Sequence, residues 1–321
     1  MGHIGLMCPM CPYVPFIRRA NSSADAVAAP QMAPRFTKFH GFGNDYIVFE
    51  AKQLKDVNDL GDFARRVCNR HYGAGADGIA VLSEPRQVGE AGGPDADLRV
   101  RIFNPDGSEA GMSGNGTRCA AAYLFFHNLW THDELRLATR NGVKRYYLRE
   151  RTGQGSFVFD SELGQPRFDS ESIPMVIKPP TEQVIDYPLT VAGEILRVTA
   201  LQMGNPNCCI FVDDFEEIDW RRLGPLIENH RQFPERTNVI FIRVRDRDSI
   251  EERIWERGVG ETESSGTCSC AAAIASVING KTDRKLNVHA PGGILPVEWR
   301  EDGEVVLTGR ADVVYNGEWL G

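Results

Sequence analysis

Leu98-Arg99-Val100-Arg101-Ile102-Phe103 alternates apolar and charged side chains, the two-residue period of a strand with one face against a core. The same alternation predicts strands around Val143 to Leu148, Ile195 to Leu201 and Val239 to Val244. Turn signals separate them. Ala192-Gly193 is one, and Asp302-Gly303 is another, predicting a hairpin between Leu295-Pro296-Val297-Glu298-Trp299 and Val305-Val306-Leu307. The pattern is that of a largely β protein with few helices.

Helical spacing occurs in three places. Leu60, Phe63, Ala64, Val67 and Cys68 share one face while Arg65, Arg66 and Asn69 face away, which predicts a helix on the outside of a sheet. Cys119 to Phe126 and Cys270 to Ile278 are apolar on nearly every side, so both helices should be buried all round. Their entrances match with a one-residue gap: Ser113-Gly114-Asn115-Gly116-Thr117-Arg118-Cys119 against Ser265-Gly266-Thr267-Cys268-Ser269-Cys270. An internal repeat of roughly 150 residues follows, far longer than a solenoid period. The simplest architecture is α+β: two pseudo-symmetric lobes, each a curved, mostly antiparallel, barrel-like sheet around one hydrophobic helix, with both helix starts facing a cleft. Residues 35–160 would form the first lobe, completed by a C-terminal strand at 309–321, and residues 161–308 the second.

Composition narrows the classes without naming one. The chain has 321 residues, 42% hydrophobic and 25% charged, as expected of a soluble two-domain protein. A formal charge of -8 argues against nucleic acid as a partner, and no apolar run reaches the roughly 20 residues of a membrane helix. Residues 1–34 read as a disordered or non-native extension, or a start assigned too far upstream, with a targeting signal as the alternative. Cys8 and Cys11 form a CxxC without two further ligands nearby, so no metal is expected. Cys68, Cys119, Cys208, Cys209, Cys268 and Cys270 lie in apolar or Ala-rich surroundings and read as reduced core thiols of a cytoplasmic protein.

Gly-rich turns that open helices aim unpaired N–H groups and the positive end of the helix dipole at one point, so the two entrances could hold two anionic groups, or one anion and one reacting hydroxyl. Polar segments surround them: Gly41-Phe42-Gly43-Asn44-Asp45, Asn104-Pro105-Asp106-Gly107-Ser108-Glu109, Gly204-Asn205-Pro206-Asn207, Pro234-Glu235-Arg236-Thr237-Asn238 and Glu256-Arg257-Gly258-Val259-Gly260-Glu261-Thr262. With His40, with Gly73-Ala74-Gly75-Ala76-Asp77-Gly78 and with the two entrances, this series resembles the diaminopimelate epimerase family, in order from about Phe36 to the C-terminus.

The resemblance implies a cofactor-independent isomerase that converts LL- to meso-diaminopimelate, or acts on a close analogue, on the route to lysine and peptidoglycan precursors. One group removes the α-proton and another returns it on the opposite face. By the same resemblance Asn44, Asn104, Asn205, Asn238, Glu256 and Arg257 would hold the amino and carboxylate groups, with the backbone at Gly114, Asn115, Gly266 and Thr267 on the reacting carboxylate. Arg257 offers a carboxylate fork and Glu256 an ammonium partner. The partner is a small amino acid; a homodimer is left open.

The chain departs from the family at the reacting groups. Ser113 and Ser265 stand where the family carries thiols, and Asn207 stands where it carries a histidine. A serine hydroxyl needs an adjacent base to react. Three readings therefore stay open: an epimerase with Ser113 and Ser265 at the acid/base positions, an isomerase or dehydratase of the same fold driven by a single carboxylate such as Glu256 or Asp45, and a silent amino-acid-binding homologue.

Overall fold

The computed structural model describes residues 33–85 and 95–321, and Ala33–Gly321 form one unit. The expectations for Cys8, Cys11 and most of the N-terminal extension fall outside the described residues. The first half runs β1 (Arg35–Gly41), β2 (Asn44–Glu50), α1 (Leu60–Cys68), β3 (Gly78–Ser83), β4 (Leu98–Phe103), β5 (Glu109–Ala110), α2 (Gly114–Phe126), β6 (Glu134–Thr139), β7 (Gly142–Thr152) and β8 (Ser156–Glu162). It continues through β9 (Val184–Val191), β10 (Glu194–Gln202), β11 (Pro206–Phe211), α3 (Trp220–Glu228), β12 (Asn238–Asp246), β13 (Ser249–Glu256), β14 (Gly260–Thr262), α4 (Gly266–Ile278), β15 (Lys285–Ala290), β16 (Gly293–Trp299) and β17 (Val305–Glu318). No helix among the described residues is long and apolar enough to cross a membrane.

The pairings repeat. β1–β2 is antiparallel, β2–β3 parallel across α1, β3–β4 antiparallel, and β4–β6 parallel across α2. Likewise β10–β11 is antiparallel, β11–β12 parallel across α3, β12–β13 antiparallel, and β13–β15 parallel across α4. β17 pairs with β8 and with β1, closing an eight-stranded barrel of β1, β2, β3, β4, β6, β7, β8 and β17. The start of β17 also pairs with β16 of the second half. One strand thus ties the two halves together.

Each barrel-like sheet wraps an apolar helix. Cys119 to Phe125 of α2 pack with Tyr46, Val48, Leu135, Phe157 and Phe159; Cys268 and Cys270 to Ala275 of α4 pack with Ile240, Ile242, Ile254, Val288 and Leu307. Each helix carries an Ala-Ala-Ala run that lets the sheet approach closely. The outer faces are covered as well. Ile47, Phe49 and Ile79 pack under α1, whose N-cap Asp59 accepts from the N–H groups of Gly61 and Asp62. The Ala192-Gly193 turn between β9 and β10 has both residues at positive φ, the geometry of a tight two-residue hairpin.

Two sequence expectations need correction. Val239 to Val244 does not present one core face: Ile240 and Ile242 pack on α4 while Val239 and Phe241 pack under α3, so β12 is buried on both sides. A strand covered by helices on both faces carries a continuous apolar run, and Val239-Ile240-Phe241-Ile242 is one. The cover itself, α3, goes unread because Gly224 and Pro225 interrupt its pattern; with no N–H at Pro225 the helix gives up one internal hydrogen bond and keeps its place through Trp220, Leu223 and Ile227 in the outer core.

The shared strand makes a prediction. A chain ended at Thr308 leaves β1 without a partner on one side, opens the barrel beside β8 and removes the buried Ala311. It should lose cooperative thermal unfolding and bind a hydrophobic dye; a cooperative transition at the full-length Tm would contradict this role of β17.

Candidate active site

The starts of α2 and α4 open into one cleft of about 960 Å³, lined from both halves. The first N–H groups of a helix have no carbonyl to reach within it, so both starts present donors and partial positive charge to the cleft. A Cβ added at Gly114 would meet nothing within 4 Å, which leaves the backbone there open to a ligand.

Side-chain amides hold each start in place. On the α2 side Arg118 donates to Asn115 Oδ1, Asn115 Nδ2 donates to Asn44 Oδ1 (3.1 Å), and Asn44 Nδ2 donates to Asp77 Oδ2 (2.9 Å). On the α4 side the Arg257 N–H donates to Asn238 Oδ1 (2.8 Å) and Asn238 Nδ2 donates to Asn207 Oδ1 (3.1 Å). Asn207 Nδ2 then donates to the Asn205 carbonyl (2.7 Å), and Asn205 Nδ2 donates to Thr267 Oγ1 (3.3 Å). Both chains include the second residue after the N-cap serine, Asn115 in one and Thr267 in the other. Every amide oxygen and nitrogen committed in this way is fixed in direction, which preorganises the groups left facing the cleft.

The two serines are not equivalent. Ser113 Oγ caps α2 by accepting from the Gly116 N–H (3.1 Å) and lies 2.9 Å from Tyr46 Oη. Ser265 makes no cap hydrogen bond; its hydroxyl donates to Glu256 Oε1 at 2.8 Å. Burial pushes the Glu256 carboxyl above its ordinary range, and the Ser265 hydroxyl only partly offsets this. A carboxylate raised in this way takes a proton more readily than a free one.

The structure brings Asn44, Asn104, Gly114, Asn115, Asn205, Asn238, Glu256, Arg257, Gly266 and Thr267 to the cleft wall together with Ser113 and Ser265. Asn207 stands apart: fully buried on β11 opposite Asn238, it sits behind the wall and orients Asn205 and Asn238. It is a positioning residue. Asp45 is not on the cleft wall either; burial raises its carboxyl, but Arg70 and Lys38 outweigh that and hold it at about 2. The buried thiols near the helix starts are inert, because desolvation pushes Cys119 to about 12 and Cys268 well above the ordinary thiol.

Sequence reasoning missed Tyr46 and Lys144, which also line the cleft. Tyr46 was within reach, since it lies two residues after Asn44 on β2 and successive even positions of a strand share a face. Lys144 gave no such signal.

The family model described as Diaminopimelate epimerase matches residues 36–168 and 199–314. The chain is 42% identical over 285 residues to the diaminopimelate epimerase of Pelotomaculum thermopropionicum, covering 88% of this chain and 98% of that protein. It is 40% identical over 288 residues to the diaminopimelate epimerase of Synechocystis sp., covering 89% and 99%. Among solved structures, a Bacillus anthracis phenazine biosynthesis protein of the PhzF family superposes with a TM-score of 0.60 at 15% identity, covering 90% of this chain and 99% of the other. A hydroxyproline epimerase from Agrobacterium vitis gives 0.58 at 14% identity, covering 89% and 91%. Those two structures share the fold.

Glu252, on the same face of β13 as Glu256, is fully buried; its Oε1 accepts from Ser269 Oγ at 2.5 Å and its Oε2 has no partner. Burial pushes this carboxyl up to about 8 despite the Ser269 hydrogen bond. The folded protein therefore keeps a proton that the unfolded chain releases. This contribution to stability is complete below the ordinary glutamate range and is lost as pH rises toward about 8. Glu252→Gln should remove a downward slope of up to about 1.4 kcal/mol per pH unit in that window. Urea unfolding of both proteins across the window measures it, and parallel curves would show that Glu252 does not titrate there.

Proposed function

The chain belongs to the diaminopimelate epimerase family, and from that premise we propose that it epimerises LL-diaminopimelate to meso-diaminopimelate with Ser113 and Ser265 on opposite faces of the α-carbon. The observation that carries this reading is the 2.8 Å hydrogen bond from Ser265 to Glu256 at one helix start, across a common cleft from the capped Ser113 at the other.

A lone serine is too weak a base to take an α-proton at neutral pH. With Glu256 beside it, Ser265 Oγ accepts the α-proton while its own proton passes to the carboxylate, so no free alkoxide forms. The negative charge that develops on the substrate carboxylate lies at the helix starts, where the backbone of Gly114, Asn115, Gly266 and Thr267 and the two dipoles stabilise it. Ser113 returns a proton from the other face. The Arg257 guanidinium, Asn44, Asn104, Asn205 and Asn238 would grip the remaining amino and carboxylate groups. The six described cysteines are unpaired and buried, in keeping with action in the reducing cytoplasm.

Purified protein with LL-diaminopimelate in deuterated water should incorporate α-deuterium and yield the meso isomer; no uptake at high enzyme loading would end this reading. Glu256→Gln should lower kcat by about 10²- to 10⁴-fold, the usual worth of a positioned acid–base group. The double variant Ser113→Cys, Ser265→Cys should raise kcat, because a thiol with a pKa of about 8.5 ionises far more readily than a hydroxyl. A double variant slower than the parent would show that the site is built around oxygen.

A further inference from the structure

Ser265 has an evident proton acceptor, whereas Ser113 needs a source for the proton it gives away. Serine alone is a poor acid, and its proton has to be replaced from a neighbouring group if no alkoxide is to be left at Ser113. The only side-chain hydroxyl hydrogen-bonded to Ser113 Oγ among the described residues is that of Tyr46, at 2.9 Å.

The direction of that hydrogen bond follows from the neighbours. Tyr46 is 5% exposed, and no other partner for its hydroxyl occurs among the described residues, so an undonated phenol proton would remain buried and unsatisfied at a cost of about 1–3 kcal/mol. Ser113 Oγ already accepts from the Gly116 N–H. If it accepts from Tyr46 too, both its lone pairs are engaged and its own proton is free to point into the cleft. The ring is placed for this. A Cβ at Gly78 would come within 2.5 Å of it and one at Gly116 within 2.8 Å, so two glycines, one on β3 and one in the first turn of α2, make the slot that brings the phenol to the helix start. The titratable groups that act on the phenol are Asp77, Cys119 and Glu256, and each favours its protonated form.

We propose that Tyr46 is the proton donor behind Ser113, a positioning residue that turns the serine proton toward the substrate and replaces it during turnover. As the Ser113 O–H bond breaks and the α-carbon–H bond forms, the Tyr46 O–H bond breaks and a new O–H bond forms on Ser113. The phenolate left behind is reprotonated through cleft water as Glu256 releases the proton it took, so both groups return to their starting forms before the next turnover. On the other face the α-hydrogen moves to Ser265 and the Ser265 proton moves to Glu256, so two protons move on each side and the charges balance. Burial holds Tyr46 well above the ordinary phenol range, so it stays protonated throughout the neutral range and, as a weak acid, gives up that proton only together with the transfer from Ser113.

The inference rests on the epimerase reading, and the experiment separates the two. Full-length wild type and Tyr46→Phe are given LL- and meso-diaminopimelate in deuterated water, with inversion and α-deuterium uptake followed independently. Tyr46→Phe should lose about 10²- to 10⁴-fold in inversion with KM changed less than about threefold. It should still exchange, with retained configuration, the α-hydrogen that faces Ser265 and Glu256. Inversion at the wild-type rate, or inversion and exchange lost together, would overturn the role of Tyr46. Wild type without any exchange would instead overturn the epimerase reading. A fluorinated tyrosine of lower phenol pKa at position 46 keeps the ring in its slot, and it should bring an alkaline fall-off into kcat that the wild type lacks; an unchanged profile would likewise overturn the proposal.

Discussion

Two helices without a polar face govern this structure. An α-helix apolar on all sides cannot lie on a surface, so α2 and α4 must each be surrounded, and a sheet curled around a helix is the economical way to do it. A sheet wound in this manner covers the sides of the helix but leaves its end exposed. The exposed ends are the N-termini, where unpaired N–H groups gather and cannot be buried against carbon. Because β17 belongs to the pairing network of both halves, the two open ends share one cleft. The demand for burial thus places two positive helix starts around one volume.

The repeated topology does not produce repeated chemistry. Ser113 serves its own helix as a cap and leans on a phenol, while Ser265 leaves its helix uncapped and donates a hydrogen bond to a half-buried carboxyl. An inversion needs one group that takes a proton and one that gives it, so asymmetry between otherwise similar halves is what the proposed reaction requires. The neighbouring amide chains do the opposite and treat the halves alike, each tying the second residue of a helix to an asparagine, Asn44 at the start of β2 and Asn205 in the turn between β10 and β11. The amide supports are alike in the two halves, and the partners of the two serines are not.

Local pattern carried much of the architecture. The all-round apolar character of Cys119 to Phe126 and Cys270 to Ile278 announced two buried helices, and the one-sided pattern from Leu60 to Cys68 announced a surface helix. The topology repeat behind the matching Ser-Gly entrances was visible in outline for the same reason. α3 was not, since Gly224 and Pro225 break the pattern and only tertiary packing of Trp220, Leu223 and Ile227 compensates. Likewise Val239 to Ile242 reads differently once a helix covers its outer face.

Through its resemblance to a family, the order of motifs along the chain pointed to residues that would bind an amino acid, and amides, a guanidinium and Gly-rich helix starts have the chemistry for it. By the same resemblance, hydroxyls stand where the family carries thiols. The partners of those hydroxyls lay beyond the reach of sequence. Glu256 is nine residues from Ser265 and Tyr46 is sixty-seven from Ser113, and Asn207, close to the chemistry in motif, is sealed behind Asn205 and Asn238. Which oxygen gives a proton and which receives one depends on distances of about 3 Å and on burial, and those exist only after strands from separate parts of the chain have closed around the helices.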